Sequence, residues 1–259
     1  MIEDALVLMF VDPFVGTLSE YSSILRENDP DGVGKKVPIM KGVFLDFWLK
    51  HMMNIEGAIC LLPKLRENVY YKIPLTAILR SLTADALTIS YLRSFERDEQ
   101  TFVNEINCLQ DEVSITTHKI KEVESGEKRE KPVIKKRLEH HRSSSPELLT
   151  EKINVDGIKF LTEEMKREHL ATRGLLDNAT KKVFLFNKLF TMNYHYSVVG
   201  GNIARDFGGK EFFFYVESII YSIEIFIKMV SEQDILSENV IHELTRHFLA
   251  LKKILEKDE

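Results

Sequence analysis

The feature that most constrains the fold is the stretch 73–93, which is apolar around its whole circumference when drawn as a helix. A helix of this kind is normally buried on all sides. The stretch is long enough to cross a membrane, but the charges of Arg80 and Asp85 within it argue against that interpretation. We therefore expect a central core helix that other helices surround.

The rest of the chain favours an all-α fold. Apolar residues recur in steps of three and four, the spacing of one helical face, through several other segments. One such stripe contains Phe44, His51 and Ile55. No segment shows the two-residue alternation of strands, so we predict an all-α multi-helix bundle formed by a single domain, 1–259. The other helices are expected near 14–28, 40–62, 102–123, 158–170, 183–192, 212–230 and 237–255.

A charged stretch, 125–150, interrupts the helical pattern. It holds Pro132, the run Ser143-Ser144-Ser145-Pro146 and few apolar residues, so we predict a flexible linker or long loop within the domain. Because the net charge of the chain is -5, nucleic acid would need a local basic patch, and this stretch contains the one candidate. It lacks interleaved aromatic residues, so a solvated linker is the preferred interpretation. The basic residues that would contact nucleic acid are Lys128, Arg129, Lys131, Lys135, Lys136 and Arg137.

The N-terminus and the cysteines favour the cytoplasm. The first residues, Met-Ile-Glu-Asp, lack the basic and apolar regions of a secretory signal. Cys60 and Cys108 lie far apart in helical patterns and match no metal-binding or redox spacing. We expect both thiols to be reduced and buried. The protein is predicted to be cytoplasmic and not to enter the membrane.

No motif for a phosphate, a metal or a cofactor is complete. Gly32-Val33-Gly34-Lys35-Lys36 lacks the spacing of a phosphate loop, which also ends in Ser or Thr. His242 and His247 flank a glutamate, but their spacing puts them about 140° apart around a helix, off a common metal-binding face. No histidine has Glu three residues earlier, as di-iron bundles require. We expect no metal site and no cofactor.

Arg80 and Asp85 are the first candidate site residues, because they carry charge inside the predicted core helix. Removing one partner of a buried ion pair costs about 3–5 kcal/mol, so each residue should have a partner or a ligand. Their spacing of five positions does not let them face each other along the helix. Partners from other segments are therefore expected, and the candidates are Glu56, His195, Glu217 and Glu224.

A second candidate site is the run Tyr194-His195-Tyr196-Ser197, which leads into Gly200-Gly201. In one interpretation Tyr194 and Tyr196 are the walls of a pocket, and His195 carries a proton or contacts a ligand. In the other, the run ends a helix, its tyrosines cap the core, and the glycines make the turn. The sequence leaves both interpretations open.

The segment around Arg80 resembles a group of uncharacterised bacterial helical domains. Their motif reads Leu-x-Arg-Ser-Leu-x-Glu-Ala ahead of an aromatic residue. This chain has Arg80-Ser81-Leu82, with Asp85 one place beyond the family's acid and Tyr91 following. The resemblance covers residues 37–230 and implies an all-helical fold.

The same domains carry a second motif, an aromatic residue and Ser shortly before His, near the end of a later helix. Tyr194, Tyr196 and Ser197 resemble its start, but the His that should follow is absent and Gly200-Gly201 occupies that region. Some relatives look like abortive-infection proteins, which implies a role in bacterial defence. Many such proteins use a ribonuclease motif of Arg, four to six residues and then His. No histidine here fits it, which counts against that nuclease chemistry.

Two functional hypotheses follow from the sequence. The first is a non-catalytic helical bundle that senses a ligand or binds another protein through a buried polar site around Arg80, in bacterial defence or stress response. The second is an RNA- or nucleotide-directed toxin-like enzyme with Arg80, Asp85, His195 and Tyr196 at a shared pocket. Whether the chain is an enzyme stays open. The aromatic run 212–215 further predicts a homodimer contact, although some of its rings must lie in the core.

Overall fold

The computed structural model describes residues 39–66, 68–110, 161–196, 209–233 and 237–258. Within these ranges the chain forms α-helices and short 3-10 turns, and none of the described residues forms a strand. The predicted all-α multi-helix bundle is therefore confirmed. The predicted linker, 125–150, the segment 14–28 and Ser197 lie outside the described residues.

Seven α-helices occur in the described part of the chain. They are α1 (Ile39–Leu61), α2 (Lys72–Arg93), α3 (99–110), α4 (Glu163–Thr172), α5 (Asn178–Tyr196), α6 (Gly209–Glu232) and α7 (Glu238–Asp258). Two 3-10 turns, Pro63–Arg66 and Val69–Tyr71, connect α1 to α2. Pro63, two residues after the end of α1, begins the first of these turns, as expected of a residue that cannot continue a helix.

The chain divides into two compact units. The first comprises Met1–Ser90 and Leu176–Glu259, and its described helices are α1, α2 as far as Ser90, α5, α6 and α7. The second comprises Tyr91–Leu175, and its described part contains the last turn of α2 together with α3 and α4. Each candidate site lies within a single unit.

Helix α2 is the central helix of the first unit, as the sequence predicts. Leu75, Leu79, Leu82 and Ala86 are fully buried. Side chains of both α1 and α5 form hydrogen bonds to α2. Because it has neighbours on more than one side, α2 is apolar around its circumference instead of along one stripe.

Helices α1 and α2 run antiparallel and approach closely at a glycine. Gly57 lies beside Ile78, and Lys50 forms an ion pair with Asp85, so residue numbers fall along α1 as they rise along α2. A Cβ atom on Gly57 would lie 3.2 Å from Cδ1 of Ile78. The missing side chain at this position therefore allows the two helices to approach. The resulting register determines which polar residues of α1 and α2 meet.

Helix α6 carries much of the aromatic core of the first unit and contacts α1, α5 and α7. Tyr215 is fully buried, and the ring of Phe214 packs edge-on against Phe186 and Phe190 of α5. Part of the aromatic run that predicted a dimer contact thus belongs to the core. The homodimer stays a prediction.

Local sequence signals begin and end the helices of both units. The side chain of Thr162 accepts a hydrogen bond from the amide of Met165 and caps α4. Asp177 caps α5 in the same way through the amide of Thr180, at 2.8 Å. After α4, Gly174 adopts the left-handed conformation, and the next amide, of Leu175, donates to a carbonyl of the last turn.

The cysteines meet only half of the expectation. Cys108 is buried, as predicted, but Cys60 is exposed, so the prediction that both are buried is wrong. Cys60 follows the buried Ile59 and points away from the core, on the outer side of α1.

None of the described helices is long and apolar enough to cross a membrane.

Candidate functional site

Asp85 is paired with a residue that the sequence analysis did not name. The Nζ atom of Lys50 lies 2.8 Å from Oδ1 of Asp85. The Asp85 side chain is 11% exposed and that of Lys50 is 56% exposed, so the pair reaches from the core to the solvent. The expected partners omitted Lys50 because the spacing within one helix gives no information about the register between two helices. In the described structure Glu224 instead pairs with Lys228 and Lys252.

A second contact extends this pair along the same two helices. The amide of Asn54 donates to Oγ of Ser81 at 3.4 Å. Asn54 lies four residues beyond Lys50, and Ser81 lies four residues before Asp85, so the two pairs occupy one helix interface. We call Lys50, Asn54, Ser81 and Asp85, with the adjacent Arg80, the polar seam.

Arg80 is half-buried at the edge of the polar seam. Its backbone carbonyl accepts hydrogen bonds from the Asn187 amide, at 3.3 Å, and from the Thr83 hydroxyl, at 3.1 Å. The Asn187 amide also donates to the hydroxyl of Thr83 at 3.1 Å. Asn187 of α5 thereby fixes the turn of α2 that carries Arg80. The guanidinium group is thus attached to a rigid part of the backbone.

The second sequence-predicted site lies at the end of α5. The backbone of this helix continues through Tyr194, His195 and Tyr196, while their side chains fall outside the described part of the structure. His195 follows Asn187 by eight residues, or about 12 Å along a helix axis. A pocket shared by Arg80 and His195 stays a prediction.

The second unit contains a buried carboxylate that the sequence analysis missed. The hydroxyl of Tyr91 donates to Oε2 of Glu105 at 2.8 Å, and both residues are fully buried. Glu105 lies three residues after Phe102 and three before Cys108, which are also buried. These three residues therefore share one face of the helix predicted near 102–123. The position of Glu105 between Phe102 and Cys108 is the sequence signal that identifies it as buried.

His169 is the second buried polar residue of this unit. Its Nε2 atom lies 2.8 Å from Oγ of Ser94, and only 1% of its surface is exposed. The imidazole ring lies 5.0 Å from the rings of Tyr91 and Phe95. A serine within hydrogen-bond distance of a histidine is the geometry of a nucleophile and its base. The positions of the protons decide whether that chemistry is available.

The Ser94 hydroxyl has a second partner, the backbone carbonyl of Tyr91. Its Oγ lies 2.6 Å from that carbonyl oxygen, which also accepts a hydrogen bond from the Ser94 amide. When the single hydroxyl proton goes to the carbonyl, Nε2 of His169 carries a proton and donates to Oγ. When it goes to Nε2, the imidazole accepts it, and only this second arrangement is that of a nucleophile and its base.

A third polar group lies between α1 and α6 in the first unit. His51 is fully buried and stacks on Phe226, with 3.3 Å between ring centroids and 11° between ring planes. The Trp48 ring lies 6.5 Å from that of His51. Burial places the pKa of His51 well below its usual value, so the ring is neutral at physiological pH. The described residues give neither ring nitrogen a hydrogen-bond partner.

No three His, Cys, Asp or Glu side chains come together as a metal-binding group anywhere in the described ranges. Comparisons of this chain with models of protein families, with curated proteins and with solved structures find no match. The function must therefore be inferred from the three polar groups themselves. The polar seam is the one that combines charged side chains with access to solvent.

Proposed function

We propose that this protein is a non-catalytic helical bundle that senses a small ligand, or binds a protein, through the polar seam between α1 and α2. The observation that carries the proposal is the Lys50–Asp85 pair, at 2.8 Å, in which a nearly buried carboxylate is joined to a half-exposed ammonium group. The carboxylate is held rigidly by the core, whereas the ammonium group can exchange it for a ligand. Arg80, half-buried on the same helix as Asp85, adds a second cationic group.

The two cationic side chains favour an anionic ligand, and a nucleotide has the size to contact both. The resemblance to abortive-infection proteins supports a place in bacterial defence or stress response. An RNA- or nucleotide-directed enzyme centred on Arg80 and His195 is the competing outcome of the test below.

Thermal unfolding with nucleotide probes tests the proposal. The purified chain is heated with ATP, ADP, AMP, cyclic AMP or inorganic phosphate, and each mixture is analysed for products. A probe at about a hundred times its Kd adds about 2.7 kcal/mol to the stability of the folded state. That gain raises the Tm of a chain of this length by roughly 5–10 °C. Conversion of a probe to product would overturn the non-catalytic proposal and favour the enzyme.

Arg80→Met distinguishes a ligand contact from a structural charge, with Lys181→Met on the exposed face of α5 as the matched control. If Arg80 serves a ligand, its replacement leaves the Tm without ligand nearly unchanged and abolishes the shift with the probe. A fall of about 6 °C or more without ligand would instead identify Arg80 as one half of a buried ion pair. That outcome, with no probe raising the wild-type Tm, contradicts ligand sensing at the polar seam.

A further inference from the structure

The buried rings of Trp48 and His51 serve neither the polar seam nor the group around His169. They stand three residues apart on α1 and therefore share one face of that helix. Phe226 of α6 lies against this face, 3.3 Å from the centroid of His51 and 6.4 Å from that of Trp48. Trp48 is 3% exposed and His51 is 0% exposed. The three rings form an aromatic cluster closed to solvent.

The cluster contains three nitrogen atoms for which the described residues provide no hydrogen-bond partner. Nε1 of Trp48, Nδ1 of His51 and Nε2 of His51 are buried and have no hydrogen-bond partner among the described residues. An indole N–H can only donate, whereas a neutral imidazole has one donor and one acceptor nitrogen. Native proteins leave few buried polar groups in this condition. Three in one cluster indicate a partner that is not a side chain of the described structure.

We propose that Trp48 and His51 form an internal binding site for one small, uncharged hydrogen-bonding molecule of about the size of water. Its oxygen accepts a hydrogen bond from the Trp48 indole and donates one to the unprotonated nitrogen of His51. With nitrogen-to-oxygen distances of about 2.9 Å, one oxygen bridges nitrogens up to about 5.8 Å apart.

The chemistry of the donors and acceptors selects this class of ligand. An anion would be buried beside two neutral rings, and a buried charge without a partner costs far more than a buried neutral molecule. A cation would face the positive end of the indole N–H dipole. A neutral hydroxyl group both accepts and donates, and buried water characteristically bridges two to four polar groups of this kind. The site would connect two positions of α1 at its contact with α6.

The wild-type protein allows a direct test because Trp48 is the one tryptophan of the chain. Its indole N–H therefore gives a single signal in a proton–nitrogen correlation spectrum. We expect cross-peaks between this proton and the water resonance that have opposite signs in NOESY and ROESY spectra, as a long-lived bound water produces. Absence of these cross-peaks, or equal signs caused by chemical exchange, would overturn the proposal.

Coupling between the two residues provides a second test that does not depend on spectra. Trp48→Phe, His51→Leu and the double variant are compared by the urea concentration at half-unfolding. If one molecule bridges both rings, either single change releases it, and the double variant shifts the midpoint by clearly less than the sum of the two single shifts. Additive shifts contradict a shared ligand. If a variant does not fold, the spectra of the wild-type chain still decide.

Discussion

Two buried histidines differ in how their polar atoms are accommodated. His51 in the first unit and His169 in the second are both at most 1% exposed, and both lie against aromatic rings. Nε2 of His169 is hydrogen-bonded to Ser94, whose hydroxyl also contacts the carbonyl of Tyr91. His51 contacts the rings of Trp48 and Phe226 and has no polar partner among the described residues.

The difference shows that burial and hydrogen bonding are separate requirements. An aromatic environment accepts either imidazole ring, since a neutral ring stacks well. The side chains of the second unit also satisfy Nε2 of His169, so a substitution there leaves a buried group without its partner. Around His51 the described side chains provide no such partner. In that cluster burial acts on the ring itself, because it lowers the pKa of His51 and keeps the imidazole neutral.

Tyr91→Phe should have the largest effect, because it removes the hydroxyl of a ring that packs against His169, and this hydroxyl donates to the fully buried Glu105. Leaving a buried acceptor without its donor costs about 1–3 kcal/mol, and we expect a loss in that range. Urea unfolding of the full chain, followed by circular dichroism, measures it. Tyr70→Phe is the matched control, since Tyr70 is 75% exposed and should change stability by less than about 0.5 kcal/mol. Equal effects of the two changes would show that the buried bond contributes nothing.

Ser94→Ala tests the hydrogen bond of His169 directly. Without the hydroxyl, Nε2 of His169 loses its hydrogen-bond partner at 2.8 Å, and we expect a loss of about 1–2 kcal/mol. The control is Ser222→Ala on α6, because Ser222 is fully buried but donates only to a carbonyl of its own helix. That carbonyl keeps its helical partner, so the control should be nearly neutral. A control as destabilised as Ser94→Ala would remove the distinction between the two serines.

The pH dependence of unfolding tests the His51 side of the comparison. Because burial lowers the folded-state pKa of His51, its contribution to stability is complete above the unfolded value of about 6.5 and is lost as the pH falls. The loss amounts to at most about 1.4 kcal/mol per pH unit below that value. In the His51→Leu variant the free energy of unfolding should fall less between pH 7 and 5 than in the wild type, whatever the effect of the substitution at neutral pH. Parallel profiles of the two proteins between pH 7 and 5 would contradict the expected titration of His51.

The sequence predicts much of this fold and little of its polar contacts. The steps of three and four that contain Phe44, His51 and Ile55 identify a buried face, and all three residues are buried. The circumferential apolarity of 73–93 likewise predicts the central position of α2. Such periodicity describes one helix at a time, however, and it contains nothing about the register between helices. For that reason the pairing of Asp85 with Lys50 could not be predicted.

The buried glutamate gives the opposite lesson, because its signal was present in the sequence. Glu105 shares the spacing of Phe102 and Cys108, but a carboxylate is conventionally placed on the solvent side of a helix. The hydrogen bond from Tyr91 compensates for its burial, and that residue is distant along the chain. A charged residue on an apolar stripe should therefore be interpreted as a buried group with a partner. The same rule places His51 in the core but does not provide its partner.

Lys228→Met should have the smallest effect, because it changes a polar group that has partners and also contacts solvent. Burial acts to raise the pKa of Asp177, but hydrogen bonds from Lys228 and the Thr180 amide outweigh it and hold that pKa below its usual value. The pair therefore stabilises the fold above the unfolded pKa of Asp177, about 3.9, and this contribution disappears as the pH falls through the lower folded value.

Solvent limits the size of that contribution. The side chains of Lys228 and Asp177 are 39% and 44% exposed, so water replaces much of what the substitution removes. We expect a loss of about 0.2–1 kcal/mol at neutral pH, which should shrink in 1 M salt because charges at the surface are screened. Lys252→Met, whose Nζ lies 3.7 Å from Glu224, is the control and should cost less. A loss at Lys228 as large as that of Tyr91→Phe would mean that exposure to solvent does not reduce what a polar contact contributes to the stability of this fold.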